Sequence, residues 1–181
     1  MITLLQGARG KGKNLTIVYE ATRFKNAGYK VIANFKISFA DRYITNDEFI
    51  EIVSSRERII NEFSNCVLCL DELHILMDSR SFGKNGNKII SYFIAQTRKI
   101  ECHILGASQF SGMVDLRFRQ QMDCIGFPFY DKFTGYCEVE YYDLDALQSD
   151  LHRENALKPS QIIFNAKQVF KYYDTNEVIE Y

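Results

Sequence analysis

The sequence predicts an α/β fold whose central sheet is mostly parallel and is covered by helices on both faces. Short apolar segments of strand character alternate along the chain with longer segments of helical character. The first apolar segment also leads through a glycine-rich loop straight into a helix-compatible segment, an order typical of a strand-to-helix crossover. The chain has 181 residues, which suits one domain with a substantial core.

The predicted strands are short apolar runs, and most of them are bounded by glycine, asparagine or charged residues. In chain order they lie at residues 2–5, 29–37, 66–70, 102–107, 124–129, 136–142 and 161–164. Asp71 and Glu72 follow the third strand directly, and Ser108 and Gln109 follow the fourth. These polar residues therefore mark the ends of two strands that otherwise read as fully buried.

The predicted helices carry apolar residues at helical spacing, and two of them have recognisable ends. They lie at residues 15–27, 46–63, 73–77, 89–99, 114–122 and 145–156. Gly28 can adopt the left-handed conformation that closes the first helix, and Thr45 or Asn46 can cap the start of the second. Residues 78–88 are polar and contain glycine, so we expect a loop there.

The composition excludes some classes of protein. The formal net charge is −1, so nucleic-acid binding would require a local basic patch. No apolar run approaches the ~20 residues of a membrane span, and no signal peptide is expected before the first strand. Two of the five cysteines, Cys66 and Cys69, are expected on opposite faces of one strand, which favours buried, reduced thiols of a cytoplasmic protein over a zinc or redox pair.

The glycine-rich loop matches the pattern G-x-x-x-x-G-K, which is typical of nucleotide phosphate-binding loops. Its glycines allow backbone N–H groups to surround phosphate oxygens, and the following helix points its positive end at the same anion. A lysine at the end of the pattern can reach the terminal phosphates. The residues of the predicted loop are Gly7, Ala8, Arg9, Gly10, Lys11, Gly12, Lys13 and Asn14. A purely structural turn is the alternative interpretation.

The acidic pair after the third strand supplies the second part of a hydrolytic site. Asp71 can hold Mg²⁺ directly or through water, and Glu72 can act as the general base for an attacking water. Capping of a following helix is the alternative role. Asn14 occupies the position where a Ser or Thr hydroxyl normally binds Mg²⁺, and its amide oxygen would be a longer and differently aimed ligand. Thr16 is expected to face elsewhere, so activity could be low, or absent with binding retained.

Further candidates lie beyond these motifs. Gln109 could sense the γ-phosphate or orient water, provided that the fourth strand lies between the first and the third. His74 is expected near the site. A ring-shaped ATPase often takes an arginine from the neighbouring subunit, and Arg98 is the first choice for that role. The other candidate arginines are Arg80, Arg117 and Arg119.

For a chain that acts on DNA, one basic loop is the candidate contact, because it is positively charged and adjacent to the acidic strand end. Its cationic residues are Arg80, Lys84 and Lys88. A surface loop that only contributes to solubility is the alternative interpretation.

The motifs together resemble those of the Zot-like branch of the FtsK-HerA ATPases, and they are similar in order to those of DNA-packaging ATPases of tailless viruses. The matching segments are GARGKGK at 7–13, GYKVIAN at 28–34, LDELH at 70–74, QTRK at 96–99 and SQ at 108–109. This resemblance implies a RecA-like, ASCE-type P-loop fold: a three-layer sandwich with a mostly parallel central sheet and a small C-terminal α/β extension. The ATPase core would comprise residues 1–130, and residues 131–181 would pack on it and could supply a subunit contact.

The same resemblance implies ATP and Mg²⁺ as cofactors. It places Lys13 on the phosphates, Asp71 on Mg²⁺, Glu72 on water and Gln109 as a sensor, with an arginine supplied in trans. The expected function is ATP-driven translocation of double-stranded DNA by a homo-oligomeric ring, often a hexamer, that packages a viral genome. We expect such a protein in the host cytoplasm, in the virion or in both, with capsid or membrane proteins of the virion as further partners.

Three other functions remain open at this stage. A Zot-like ATPase for assembly or secretion of a filamentous virus would usually carry a membrane span, unless a separate subunit supplies the anchor. A small-molecule P-loop kinase would suit the length and the fold, although an Asp-Glu pair with a polar sensor fits attack by water better. A nucleotide-binding scaffold without hydrolysis is suggested by Asn14.

Overall fold

A computed structural model describes residues 1–76, 86–114, 116–144 and 159–173. The described strands form one sheet. They are β1 (Ile2–Gln6), β2 (Lys30–Ala33), β3 (Arg42–Tyr43), β4 (Cys66–Leu70), β5 (Cys102–Ser108), β6 (Cys124–Tyr130), β7 (Tyr136–Asp143) and β8 (Ser160–Asn165). Their spatial order is β3-β2-β4-β5-β1-β6-β7-β8. The pairs from β3 to β6 are parallel, and β7 and β8 extend the sheet in antiparallel fashion.

Helices pack on both faces of this sheet. They are α1 (Lys13–Asn26), α2 (Asn46–Val53), α3 (Arg56–Phe63), α4 (Leu73–Leu76), α5 (Gly86–Thr97), a 3₁₀ turn (Ser111–Met113), α6 (Leu116–Arg119) and α7 (Lys167–Phe170). The predicted α/β fold with a mostly parallel sheet is therefore confirmed. In the part of the chain that the structure describes, no helix has the length and apolar character needed to cross a membrane.

Two hydrophobic clusters lie on opposite faces of the sheet. On one face Phe49, Phe63 and Phe93 join α2, α3 and α5, with ring centroids 5.5 to 6.0 Å apart. On the other face α1 packs against the strands, and α7 packs against α1. Cys66 belongs to the first cluster and Cys69 to the second, so the prediction that they point to opposite faces is confirmed.

The predicted helix at 46–63 is wrong as one continuous element, because two serines interrupt it. The Ser54 hydroxyl donates to the Ile50 carbonyl at 2.7 Å, and Ser55 caps α3 by accepting from the Arg58 N–H at 3.5 Å. The cap at the start of α2 is Thr45, which exchanges two hydrogen bonds with Glu48 in a capping box. Local side-chain bonding to the backbone therefore divides the apolar pattern into α2 and α3.

Other boundaries also differ from those predicted. The strand predicted at 29–37 ends at Ala33, and its last residues pair with the unpredicted short strand β3. Gly28 has the predicted left-handed conformation, with φ of 92°. The helix predicted at 114–122 is limited to α6, and the helix predicted at 145–156 lies outside the described residues.

Candidate functional site

Three strand ends meet at one edge of the sheet and define the candidate site. Strand β5 lies between β1 and β4, with Gln6 opposite Ser108 and Leu70 opposite Gly106. Because these strands are parallel, the loop after β1, the acids after β4 and Gln109 after β5 all emerge at this edge. The order of strands on which the proposed role of Gln109 depends is therefore confirmed.

The loop after β1 curls back on itself and leads into α1. Gly10 and Gly12 have φ of 74° and 96°, in the left-handed region that glycine readily adopts. At its start the Gly7 N–H donates to the Ser108 carbonyl at 3.3 Å. A Cβ on Gly12 would lie 3.0 Å from the Cys137 sulfur and 3.1 Å from the Tyr130 Cβ, so a larger residue would require these neighbours to move.

The hairpin formed by β6 and β7 supports this loop from one side. The Tyr130 N–H donates to the Lys11 carbonyl at 3.0 Å, and the Lys11 ammonium lies 4.7 Å from the centre of the Phe129 ring. Cys137 of β7 lies beneath Gly12. Strands on both sides of residue 130 therefore contact the loop, and β7 and β8 belong to the same sheet as β1.

Lys13 lies inside the loop. Its ammonium donates to the Gly7 carbonyl at 2.9 Å and to the Ala8 carbonyl at 3.2 Å. Burial lowers the pKa of Lys13, the carboxylates of Asp71 and Glu72 counteract this effect, and the charge of Arg9 adds to it. The cation is thus held between the loop carbonyls and the acidic strand end, where the terminal phosphates of a nucleotide would be expected.

Asn14 contacts the acidic strand end through only one half of its amide. Its Nδ2 donates to the Asp71 Oδ2 at 2.5 Å, and its Oδ1 is buried without a hydrogen-bond partner among the described residues. An unpartnered buried oxygen beside a carboxylate is a suitable pair of ligands for Mg²⁺. Thr16 donates to the Gly12 carbonyl at 2.9 Å and lies 3.7 Å from the Cys137 sulfur, so it faces away as predicted.

Asn34, the residue after β2, holds Asp71 by its backbone. Its Nδ2 donates to the Asp71 carbonyl at 3.0 Å, and its Oδ1 accepts from the Asp71 N–H at 2.8 Å. The side chain is buried, since Asn34 is only 1% exposed. The resemblance marked Asn34, the Asn after the second strand, as one of its more telling features, but gave it no role. Its role as a clamp required knowledge that β2 lies next to β4.

Glu72 has a left-handed backbone, with φ of 47°, and its N–H donates to the Asp71 Oδ1 at 2.8 Å. Such a conformation is uncommon for a residue other than glycine, asparagine or aspartate. The Glu72 Oε2 lies 3.4 Å from the His74 Nδ1, within ion-pair distance, and neither atom has a hydrogen-bond partner in the described part of the chain. His74 thus lies next to the predicted general base, near the site as expected.

Of the remaining candidates, Arg98 lies apart from this group, and some others lie outside the described residues. Arg98 follows α5 and precedes β5, so it lies at the opposite edge of the sheet, roughly 20 Å away along that seven-residue strand. It cannot serve the site of its own chain. Arg119 donates to the Val114 carbonyl at 3.1 Å. Lys88 is exposed on α5, whereas Arg80 and Lys84 are not among the described residues.

The fold is similar to those of several solved structures. The N-terminal domain of zonular occludens toxin from Neisseria meningitidis superposes with a TM-score of 0.64 at 18% identity, covering 96% of this chain and 98% of that chain. The genome-packaging NTPase B204 from Sulfolobus turreted icosahedral virus 2, in complex with ATPγS, gives 0.55 at 15% identity, covering 93% of each chain.

The flagellar accessory protein FlaH from Methanocaldococcus jannaschii gives a TM-score of 0.56 at 11% identity, covering 91% of this chain and 84% of that chain. No protein-family profile and no curated protein sequence matches the chain. At these identities the likeness concerns the fold, and it confirms the predicted resemblance at that level. The chain therefore has the α/β fold of these proteins, with a glycine-rich phosphate-loop motif after its first strand.

Proposed function

We propose that the chain is a Mg²⁺-dependent ATPase that translocates double-stranded DNA and packages a viral genome. One observation supports the hydrolytic part above all others: the loop after β1 and the end of β4 bring Lys13, Asp71 and Glu72 to one edge of the sheet. The B204 protein, which is a genome-packaging NTPase, shares the fold and supports the assignment to packaging.

Each residue then has one task. The loop amides and Lys13 bind the phosphates. Asn14 Oδ1 and an Asp71 carboxylate oxygen would hold Mg²⁺, which when bound neutralises charge on the phosphates. Glu72 accepts a proton from the attacking water, and Gln109 orients that water or senses the terminal phosphate. Asn34 and His74 position Asp71 and Glu72.

The proposed assembly is a homo-oligomeric ring, with six subunits as the first expectation. Arg98 lies at the far edge of the sheet, so any catalytic role for it requires the site of a neighbouring subunit. A solvated surface arginine without a role in catalysis is the alternative. The strands β7 and β8 of the proposed extension, residues 131–181, continue the sheet of the proposed core, residues 1–130, so these strands would move with the core. We place the protein in the host cytoplasm or the virion, with virion capsid or membrane proteins as further partners.

A second candidate is an ATPase for assembly or secretion of a filamentous virus. The likeness to the N-terminal domain of zonular occludens toxin favours it. The two functions differ in their response to DNA, because a packaging motor couples hydrolysis to double-stranded DNA in its channel. Phosphate release with and without double-stranded DNA therefore separates them: stimulation supports packaging, and its absence supports the second candidate.

The hydrolytic step is tested by Glu72→Gln. We expect turnover to fall by at least about 100-fold, the usual range for removal of a general base, while binding of ATPγS is retained. Glu101→Gln is the matched control, because Glu101 also has a left-handed backbone, with φ of 53°, but precedes β5 at the opposite edge. Turnover in this control should not change.

Three results would contradict the proposal in different ways. Equal and negligible turnover in the parent protein and Glu72→Gln would indicate a nucleotide-binding scaffold that does not hydrolyse ATP. Transfer of the phosphoryl group to a nucleoside, without any response to DNA, would indicate a kinase. A similar loss of turnover in Glu72→Gln and Glu101→Gln would show that the loss is not specific to Glu72, and Glu72 would no longer be the general base.

A further inference from the structure

A cavity of about 590 Å³ lies at the same edge of the sheet as the phosphate loop. The segment after β2 forms one wall, with Phe35, Ser38 and Tyr43, and the segment after α7 forms the other, with Tyr172 and Tyr173. Four of the nine residues that line the cavity are aromatic, and two are lysines. The volume is within the range of small-molecule sites, and aromatic walls with a few hydroxyl groups are typical of them.

Direct contacts join the two walls, so the shape of the cavity does not depend on a bound ligand. The Ser38 N–H donates to the Tyr172 carbonyl at 2.7 Å. The Tyr172 ring meets the Phe39 ring edge to face, with centroids 5.1 Å apart, and the Lys171 ammonium lies 4.7 Å from the centre of the Tyr172 ring. Both tyrosines of this wall, Tyr172 and Tyr173, are half-buried.

The walls of the cavity lie near residues of the candidate site. Phe35 directly follows Asn34, which holds the Asp71 backbone. Burial raises the pKa of Tyr173, and the neighbouring Cys137, Tyr130 and Asp71 add to this rise. Tyr130 in turn donates to the loop carbonyl of Lys11, so Tyr173 lies near both the support of the loop and the acidic strand end.

We propose that this cavity receives the base of the nucleoside triphosphate whose phosphates the loop binds. This rests on the proposed function, because it assumes that the loop is a phosphate site. Rings of Tyr172 and Tyr173 offer faces on which a base can stack, and the Ser38 and tyrosine hydroxyls offer hydrogen bonds to its edge. Such a cavity gives the site affinity for a nucleotide over an inorganic phosphate chain.

The test compares two ligands that share the phosphate chain, ATPγS and inorganic triphosphate, each with Mg²⁺. In Tyr172→Ala we expect ATPγS to bind about tenfold more weakly, the usual effect of removing one stacking ring, and triphosphate to bind as before. Tyr136→Ala is the matched control, because Tyr136 is 48% exposed on β7 and does not line the cavity. This control should bind both ligands normally.

Other outcomes would overturn the proposal. An equal change for both ligands in Tyr172→Ala, or no change for either, would show that the cavity does not hold the base. If the unmodified protein bound triphosphate but showed no preference for ATPγS, the phosphate-binding role of the loop would be supported and the base-binding role of the cavity would be refuted. If it bound neither ligand, the proposed function itself would fall, and this proposal with it.

A second measurement uses the unmodified protein and does not depend on how a variant folds. Photolabelling with 8-azido-ATP and Mg²⁺, followed by peptide mapping, should mark residues 35–43 or 171–173. Unlabelled ATP should abolish this labelling. Labelling confined to the turn between β6 and β7, where Phe133 is fully exposed, would place the base on the other side of the loop and refute the assignment.

Discussion

Replacement of Asn34 by alanine removes both hydrogen bonds that hold the Asp71 backbone. The Asp71 N–H and carbonyl would lose hydrogen bonds of 2.8 and 3.0 Å, respectively. The Asn34 residue that forms them is buried, with only 1% of its surface exposed. A buried polar group left without a partner costs about 1–3 kcal/mol, so two such groups predict a loss of about 2–6 kcal/mol in the free energy of unfolding. The Asp71 carboxylate should also lose its fixed position beside Asn14.

Two measurements check these effects. Urea denaturation gives the change in the free energy of unfolding. Binding of ATPγS as a function of Mg²⁺ concentration shows whether the Asp71 carboxylate remains in place, and we expect Asn34→Ala to need several times more Mg²⁺. Asn46→Ala is the matched control, because Asn46 is also buried, at 7% exposure, and its Oδ1 has no partner in the described part of the chain.

The control should cost less than about 1 kcal/mol and should leave the Mg²⁺ dependence unchanged, since no hydrogen bond of its Oδ1 is lost. The reasoning would be refuted if Asn34→Ala and Asn46→Ala lost similar stability and shared the Mg²⁺ dependence of the parent protein. A loss of stability with normal Mg²⁺ dependence would show that Asn34 supports the fold but does not position Asp71.

Further predictions concern the loop and the basic segment. Asn14→Ala should raise the Mg²⁺ concentration needed for half-maximal binding of ATPγS several-fold. Thr16→Val should leave that concentration unchanged, because the Thr16 hydroxyl bonds to the Gly12 carbonyl. The same effect in both variants would argue against Asn14 as a ligand of Mg²⁺. Gly12→Ala should lower the urea midpoint of unfolding more than Gly10→Ala. Both glycines have positive φ, but only Gly12 has neighbours that an added Cβ would contact closely. Equal midpoints in the two variants would contradict this prediction. Charge reversal in the basic loop should reduce DNA-stimulated phosphate release and spare ATPγS binding, and unchanged stimulation would exclude this loop as a DNA contact. The residues to reverse are Arg80, Lys84 and Lys88.

Most strands were predictable because each is a short apolar run whose ends are marked by residues of another character. The positions of β1, β4, β5 and β6 agree with the prediction to within a residue or so. Helix ends were less predictable. Ser54 and Ser55 could each occupy the interior of a helix, and only their bonds to the Ile50 carbonyl and the Arg58 N–H reveal a break.

The short strand β3 and the early end of β2 were missed for a related reason. Residues 34–37 alternate polar and apolar side chains, a pattern that fits a continued strand, but Asn34 turns its amide towards Asp71. The strand β3 consists of only Arg42 and Tyr43. A two-residue strand has no periodicity to detect, and it exists because β2 offers a partner. Both features depend on contacts between segments far apart in the sequence.

The sequence by itself determined the phosphate-loop motif, the acidic pair and the alternation of strands and helices, because each is a local pattern of residue types and spacing. Only the tertiary structure decided that β5 separates β1 from β4 and that Asn34 holds the Asp71 backbone by two hydrogen bonds. It also decided that Asn14 donates to Asp71, while the Asn14 oxygen has no hydrogen-bond partner among the described residues. The reason is physical: strand order and amide orientation follow from packing and hydrogen bonding between distant segments. The mismatch at Asn14, which the sequence marks as a departure from the motif, becomes in the fold a buried oxygen placed beside the Asp71 carboxylate.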